Sequence, residues 1–169
     1  AQLGMKVAVV EREHLGGICL NWGCIPTKAL LHTAELYQQM TRASTFGVRA
    51  EGVSFDITAM VRRSRKIALR LNKGISHLLK KNKVSVFDGH GQLTDSTARG
   101  HNIIITSEGK EVGNLTAQHV ILATGARARG LKELEPDGNL VWTYKEAMVP
   151  EVLPKSLLVV GSGAIGIEF

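Results

Sequence analysis

The sequence predicts an α/β protein with a largely parallel sheet and a small antiparallel β insert. Three observations carry that expectation. Residues 5–11 (MKVAVVE), 119–123 (HVILA) and 156–160 (SLLVV) are short apolar runs without polar alternation, the pattern of parallel strands covered on both faces. Two long stretches between the first and second of these runs place apolar residues at helical spacing. The segment around residues 102–115 is divided by Glu108-Gly109, a turn signal between two short strands.

Taken in order, residues 1–4 read as the last turn of a helix closed by Gly4 and leading into the strand 5–11, which ends in the acid Glu11. The chain opens without methionine and stops at Glu168-Phe169, just past a glycine motif that should start a helix, so the expectation is a piece of a longer protein. Gly16-Gly17 mark a turn. Across residues 24–40, Ala29, Leu30, Ala34, Leu36, Tyr37 and Met40 recur at helical spacing, with Pro26 acceptable only near the helix start. Cys24 then lies at a helix N-terminus. Asp56 can cap a long basic helix that runs to about residue 83 and tolerates Gly74. A strand at 84–87 follows, and Gly89-His90-Gly91 reads as a turn. Residues 102–107 and 111–115 form the hairpin, and 119–123 ends in Thr124-Gly125. A connection containing Pro and Gly leads through Trp142 to Pro154, where a second domain is expected to begin with the strand 156–160. There is no internal repeat and no low-complexity segment.

Composition narrows the function classes. With 169 residues, 44% hydrophobic and 21% charged, the chain can bury one substantial core. No apolar run approaches the roughly 20 residues of a membrane-spanning helix, and no secretion signal is evident. The formal charge of +6 raises the question of nucleic acid or an anionic membrane surface. The densest basic stretch is Arg62-Arg63-Ser64-Arg65-Lys66, continued by Arg70, Lys73, Lys80, Lys81 and Lys83. Ile57, Met60, Val61, Ala68, Leu71, Ile75, Leu78 and Leu79 fall near one stripe of the same helix, which leaves the cations on its solvated face. The reading is therefore against nucleic-acid and membrane partners.

The two cysteines, Cys19 and Cys24, are too few and too close to staple a secreted scaffold. In a regular helix their spacing gives a rise of about 7.5 Å and a rotation of about 140°, too far apart for a disulfide, which requires Cα atoms roughly 4.4–6.8 Å apart. A disulfide therefore requires the backbone to leave the helix, and Gly23 and Pro26 provide the means. A cysteine just before the regular helix would feel the positive end of its dipole, which lowers a thiol pKa. Two buried free cysteines packed as small hydrophobes are the alternative. Zinc lacks two further ligands at metal spacing among His14, His32, His77, His90, His101 and His119, so no metal is expected.

Gly161-Ser162-Gly163-Ala164-Ile165-Gly166 follows a strand and should open a helix, the context in which G-x-G-x-x-G holds a pyrophosphate on backbone amides. A packing or turn role is the alternative. Glu11, at the end of a buried strand, occupies the place where an acid in a dinucleotide fold accepts hydrogen bonds from both ribose hydroxyls.

The string from Gly16 to Lys28 (GGICLNWGCIPTK) resembles the redox-active disulfide signature of the pyridine nucleotide-disulfide oxidoreductases, GG-x-C-x4-C-x-P-x-K. Its form CLN-x-GCIPTKALL is most similar to the dihydrolipoyl dehydrogenase branch of that family, with Trp22 and Thr27 standing where valine and serine are commoner. The resemblance spans nearly the whole chain. It implies a Rossmann-like, doubly wound FAD-binding domain over residues 1–150, lacking its first strand and glycine loop. Residues 151–169 would be the start of a Rossmann-like NAD domain, and an interface domain would lie outside the chain.

For the site, the resemblance implies that Cys19 exchanges with the substrate and that Cys24 faces the flavin as a charge-transfer thiolate on reduction. Lys28 would sit against the flavin ring. Glu11, Gly16, Gly17, the Gly89-His90-Gly91 region and Ala123-Thr124-Gly125 would also contact FAD, and Gly161, Gly163, Ala164, Ile165, Gly166 and Glu168 would serve NAD. The activity implied is oxidation of protein-bound dihydrolipoamide through the disulfide and FAD to NAD⁺. Glutathione, trypanothione and mercuric reductases are the nearest alternatives, and a non-catalytic nucleotide-binding module is a more distant one. A homodimer, lipoyl domains and 2-oxoacid dehydrogenase complexes would be its partners, in the cytoplasm or the mitochondrial matrix. The acid-base His-Glu pair of the family is not in these residues, so the chain alone is expected to be inactive.

Overall fold

A computed structural model describes all residues 1–169. The chain divides into two compact units, Ala1–Gly17 with Asn72–Gly125, and Ile18–Leu71 with Ala126–Phe169.

The first unit is built on strands. Strand β1 (Ala8–Glu11) pairs in parallel with β2 (Ser85–Asp88), Val10 opposite Phe87 and Glu11 opposite Asp88. Three further strands, β3 (His90–Thr97), β4 (Gly100–Ser107) and β5 (Lys110–Ala117), form an antiparallel sheet in that order. Its apolar centre is Ile105, which is fully buried. The expected hairpin is present, and it turns where Glu108 and Gly109 both take positive φ, 50° and 75°.

Two expectations are corrected here. Gly89-His90-Gly91 is not a turn: His90 and Gly91 belong to β3, opposite Thr106 and Ile105, and only Gly89, at φ 150°, lies outside a strand. The antiparallel pairing of β4 with a third strand overrides the local turn signal of the two glycines. Residues 119–123 form no strand either. Ile121 and Leu122 stand 90% and 72% exposed, because no strand of the chain hydrogen-bonds beside them, and an apolar run becomes a strand only against a partner ladder.

The second unit contains most of the helical residues, although the helix Ile57–Lys81 continues past Leu71 into residues of the first unit. Helix α1 (Gly17–Trp22) breaks at Gly23, and α2 (Cys24–Thr41) follows directly, with a 3₁₀ turn at Ala43–Phe46. Asp56 starts α3 (Ile57–Lys81) as expected, its carboxylate accepting the Ala59 amide at 3.0 Å. Small residues line the helix faces that are covered: Ala29 on α2, Ser64 and Ala68 on α3. Arg63 of α3 donates to the Ala29 carbonyl at 3.1 Å and to Thr33 Oγ1 at 3.4 Å, tying the two helices. Edge-to-face packing of Tyr37 on Phe55, 5.3 Å between centroids, holds the connection.

Within the connection leading to Pro154 lies an element the sequence reading passed over, α4 (Tyr144–Met148). Thr143 and Glu146 close a reciprocal capping box on it, and Tyr144 and Met148 are its buried side chains. The strand expected at 156–160 is absent, with Leu158 86% exposed and no strand beside it. The glycine motif does open a helix, α5 (Ala164–Glu168), capped by Gly163. A Cβ at Gly166 would collide with the Gly161 carbonyl oxygen, so the turn closes only on glycine.

Candidate active site

The two cysteines flank the α1–α2 break. Gly23 leaves helical geometry at φ −144° and ψ −124°, and this folds Cys24 back toward Cys19 until their Cα atoms are 4.8 Å apart and the sulfurs are bonded. A side chain at Gly23 would press on Cys19 Cα and the Ile18 carbonyl oxygen at 3.0 Å each, so the close approach of the cysteines is easiest with a residue that has no Cβ. The helical ladder resumes at once, Thr27 donating to the Gly23 carbonyl at 3.1 Å.

Cys24 is the first residue of an 18-residue helix that has no acid in its first turn and no side chain capping it. The unpaired amides of that turn and the helix dipole present positive potential to its sulfur, which favours a thiolate once the disulfide is reduced. Both cysteines are exposed, as an exchange reaction with an outside thiol requires. Lys28, one turn further along α2, lies on the same face as Cys24. Its Nζ is 3.2 Å from Glu168 Oε1 on α5, in a pair whose Lys28 side chain is largely exposed. Two residues picked separately from sequence, one for each nucleotide, are thus brought together.

The segment between the cysteines is held from behind. Asn21 is buried, and its carbonyl accepts a hydrogen bond from Arg65 Nη1. The same guanidinium lies over the Trp22 ring, 3.9 Å from its centroid, and Lys145 Nζ of α4 approaches that ring at 5.6 Å. Desolvation lowers the Arg65 pKa from its ordinary value, and a cation–π contact at a half-buried position contributes about 0.5–2 kcal/mol. Thr27, fully covered, points its hydroxyl at Met148 Sδ of α4, at 3.9 Å. Pro26 beside it is buried at the start of α2, where its missing N–H costs nothing.

The other sequence-predicted residues are placed as follows. Glu11 ends β1 half-buried, its Oε1 accepting the Glu13 amide at 2.9 Å. Gly16 and Gly17 both take positive φ, next to a Leu15 carbonyl that accepts from Asn72 Nδ2 at 2.6 Å. Gly89, His90 and Gly91 lie at the β2–β3 junction, and Ala123-Thr124-Gly125 is irregular and exposed. Gly161, Gly163, Ala164, Ile165 and Gly166 form the loop and start of α5. Sequence reasoning missed Arg65 and α4. The T-x-x-E pattern at Thr143 and Glu146 signals α4, whereas nothing local distinguishes Arg65 from the other basic residues of α3.

The family model described as "Pyridine nucleotide-disulphide oxidoreductase" matches residues 1–169. A dihydrolipoyl dehydrogenase of Rhizobium etli is 50% identical over 184 residues, covering 100% of this chain and 37% of that protein. One from Zymomonas mobilis is 53% identical over 169 residues, covering 100% and 35%. Among solved structures, LpdA from Mycobacterium tuberculosis matches with a TM-score of 0.80 at 27% identity, over 89% of this chain and 32% of that one. The chain therefore spans only 35–37% of the length of these two dehydrogenases.

Proposed function

Since this chain belongs to the pyridine nucleotide-disulphide oxidoreductases, we propose that it is the redox-disulfide segment of a dihydrolipoyl dehydrogenase, which oxidises a dihydrolipoyl group and passes the electrons to NAD⁺. The observation that carries this reading is the Cys19–Cys24 disulfide laid across the Gly23 break at the head of α2. One thiolate of the substrate attacks Cys19 Sγ, the bond to Cys24 breaks, and Cys24 leaves as the thiolate that the helix N-terminus favours. The second substrate thiol then displaces Cys19, closing the cyclic disulfide product. Two electrons move from the substrate dithiol to the cysteine pair, with the protons going to Cys19 and solvent.

FAD and NAD⁺ fit the residues present. A carboxylate ends a parallel strand at Glu11, a cation sits at Lys28, and the Gly161–Gly166 turn admits no side chain at its last position. Gly16, Gly17, Gly89, His90, Gly91, Ala123, Thr124 and Gly125 would complete the flavin contacts, and Gly163, Ala164, Ile165 and Glu168 the NAD contacts. When bound, the two cofactors supply the route by which the reduced cysteine pair is returned to the disulfide. We assign residues 1–150 to the flavin domain and 151–169 to the start of the nicotinamide domain. A homodimer serving lipoyl domains of 2-oxoacid dehydrogenase complexes, in the cytoplasm or mitochondrial matrix, completes the reading. No helix of the chain is long and apolar enough to cross a membrane.

The full-length protein tests this directly by NADH formation from dihydrolipoamide at saturating NAD⁺. Turnover is expected, and Cys24→Ser should abolish it. Turnover of glutathione disulfide with NADPH instead would keep the family and discard the substrate.

A further inference from the structure

The segment joining the two cysteines consists of Leu20, Asn21, Trp22 and Gly23, and one side chain from another helix grips two of these four residues. Arg65 donates to the Asn21 carbonyl and lays its guanidinium 3.9 Å from the Trp22 ring centroid. The planar fork can do both at once, stacking through its face and donating from its edge, which a lysine cannot. The neighbourhood reinforces the grip. Asn21 is buried, Lys145 reaches the same indole, and Thr27 on the far side of Cys24 touches Met148 of the helix that carries Lys145. Trp22 and Thr27, on either side of Cys24, thus both meet α4.

We propose that Arg65 is a positioning residue for the redox pair, holding the segment between Cys19 and Cys24 in the one conformation that keeps their sulfurs within bonding reach. The inference rests on the redox role proposed above. A disulfide is favoured over its dithiol in proportion to the effective concentration of one thiol at the other. Gly23 permits the close approach but does not enforce it, because a glycine hinge is free in the dithiol. Arg65 restrains the hinge through both residues that precede it. Loss of the clamp therefore makes the disulfide easier to reduce.

The experiment equilibrates the full-length, FAD-loaded protein with glutathione buffers, in the balanced exchange Cys19–Cys24 disulfide plus two glutathione thiols giving the dithiol plus glutathione disulfide. Thiols are trapped by alkylation, and the peptide holding both cysteines is quantified by mass. Arg65→Ala is expected to shift the exchange constant about tenfold toward the dithiol, equivalent to about 30 mV for a two-electron couple. Arg65→Lys should recover part of the shift, and Trp22→Val should move it in the same direction as Arg65→Ala. Melting temperatures are measured beside it. A lower melting temperature with an exchange constant within threefold of the parent would overturn the proposal, since Arg65 would then be structural only. If Arg65→Ala does not fold, Arg65→Lys and Trp22→Val decide, and an unchanged constant in both overturns it. Should the parent pair fail to titrate at all, the redox reading itself falls, which is a different result from an unshifted variant.

Discussion

At the scale of single residues, Gly23 is the position on which the chemistry turns. A methyl group there meets Cys19 Cα and the Ile18 carbonyl oxygen at 3.0 Å, both backbone atoms of α1 that must give by a few tenths of an ångström to admit it. Gly23→Ala is therefore expected to cost about 1–3 kcal/mol and to leave a measurable fraction of Cys19 and Cys24 as free thiols by Ellman titration. Cys24, at the first position of α2, should ionise below the ordinary thiol range once Cys19 is replaced. The check is the pH dependence of iodoacetamide alkylation in Cys19→Ser, whose midpoint should fall below about 8.5. The Lys28–Glu168 pair makes the opposite case. Its lysine is 65% exposed, so Lys28→Met should lower stability by less than about 1 kcal/mol by thermal melting. If Lys28 serves the flavin, turnover of the full-length protein should fall far more than stability does. The redox pair was legible through the family resemblance of residues 16–28, whereas helix geometry established only that a disulfide at that spacing requires the backbone to break. Arg65 was not legible, because its role depends on which face of α3 meets Trp22.

Elements show where local signals suffice and where they do not. Helix α2 appeared where apolar periodicity placed it, and α3 began at Asp56, because an amphipathic stripe and a cap act within a turn or two of chain. Helix α4 is five residues long, too short for periodicity to register, yet its capping box is written in Thr143 and Glu146. The Thr143 hydroxyl holds the Glu146 carboxyl below the usual carboxylate range, with the backbone amide of Thr143 adding to it and burial opposing. A depressed acid stabilises the fold above its unfolded pKa and loses that contribution as pH falls through the folded value. The melting temperature of the parent should therefore approach that of Glu146→Gln as pH is lowered from 7 through the acid range, the gap being widest near neutrality. Strand β3 was passed over because Leu93 is its one large apolar residue and the strand is exposed along its whole length, so no apolar pattern marks it. At the β4–β5 turn, Glu108 holds φ 50°, a conformation asparagine adopts more readily. Glu108→Asn should raise the melting temperature by the equivalent of about 0.5 kcal/mol.

Over the whole molecule, two apolar runs stand out. Residues 119–123 and 156–160 have the composition of buried strands and instead expose Ile121, Leu122 and Leu158 almost completely. A polypeptide of these 169 residues should accordingly bind a hydrophobic dye such as ANS under native conditions. Absence of binding would show that these runs are covered. What the sequence determined by itself is whatever short-range physics enforces: the helices with their caps, the hairpin at Glu108-Gly109, the break at Gly23 and the motif that places the chain in its family. Tertiary structure alone decided which apolar runs became strands, since β-pairing needs a partner whose identity no local pattern carries. It alone also decided that Arg65 grips the segment between the cysteines and that Lys28 meets Glu168, because each of these contacts joins residues far apart in the chain. Their encounter depends on how helices pack rather than on what any one of them prefers.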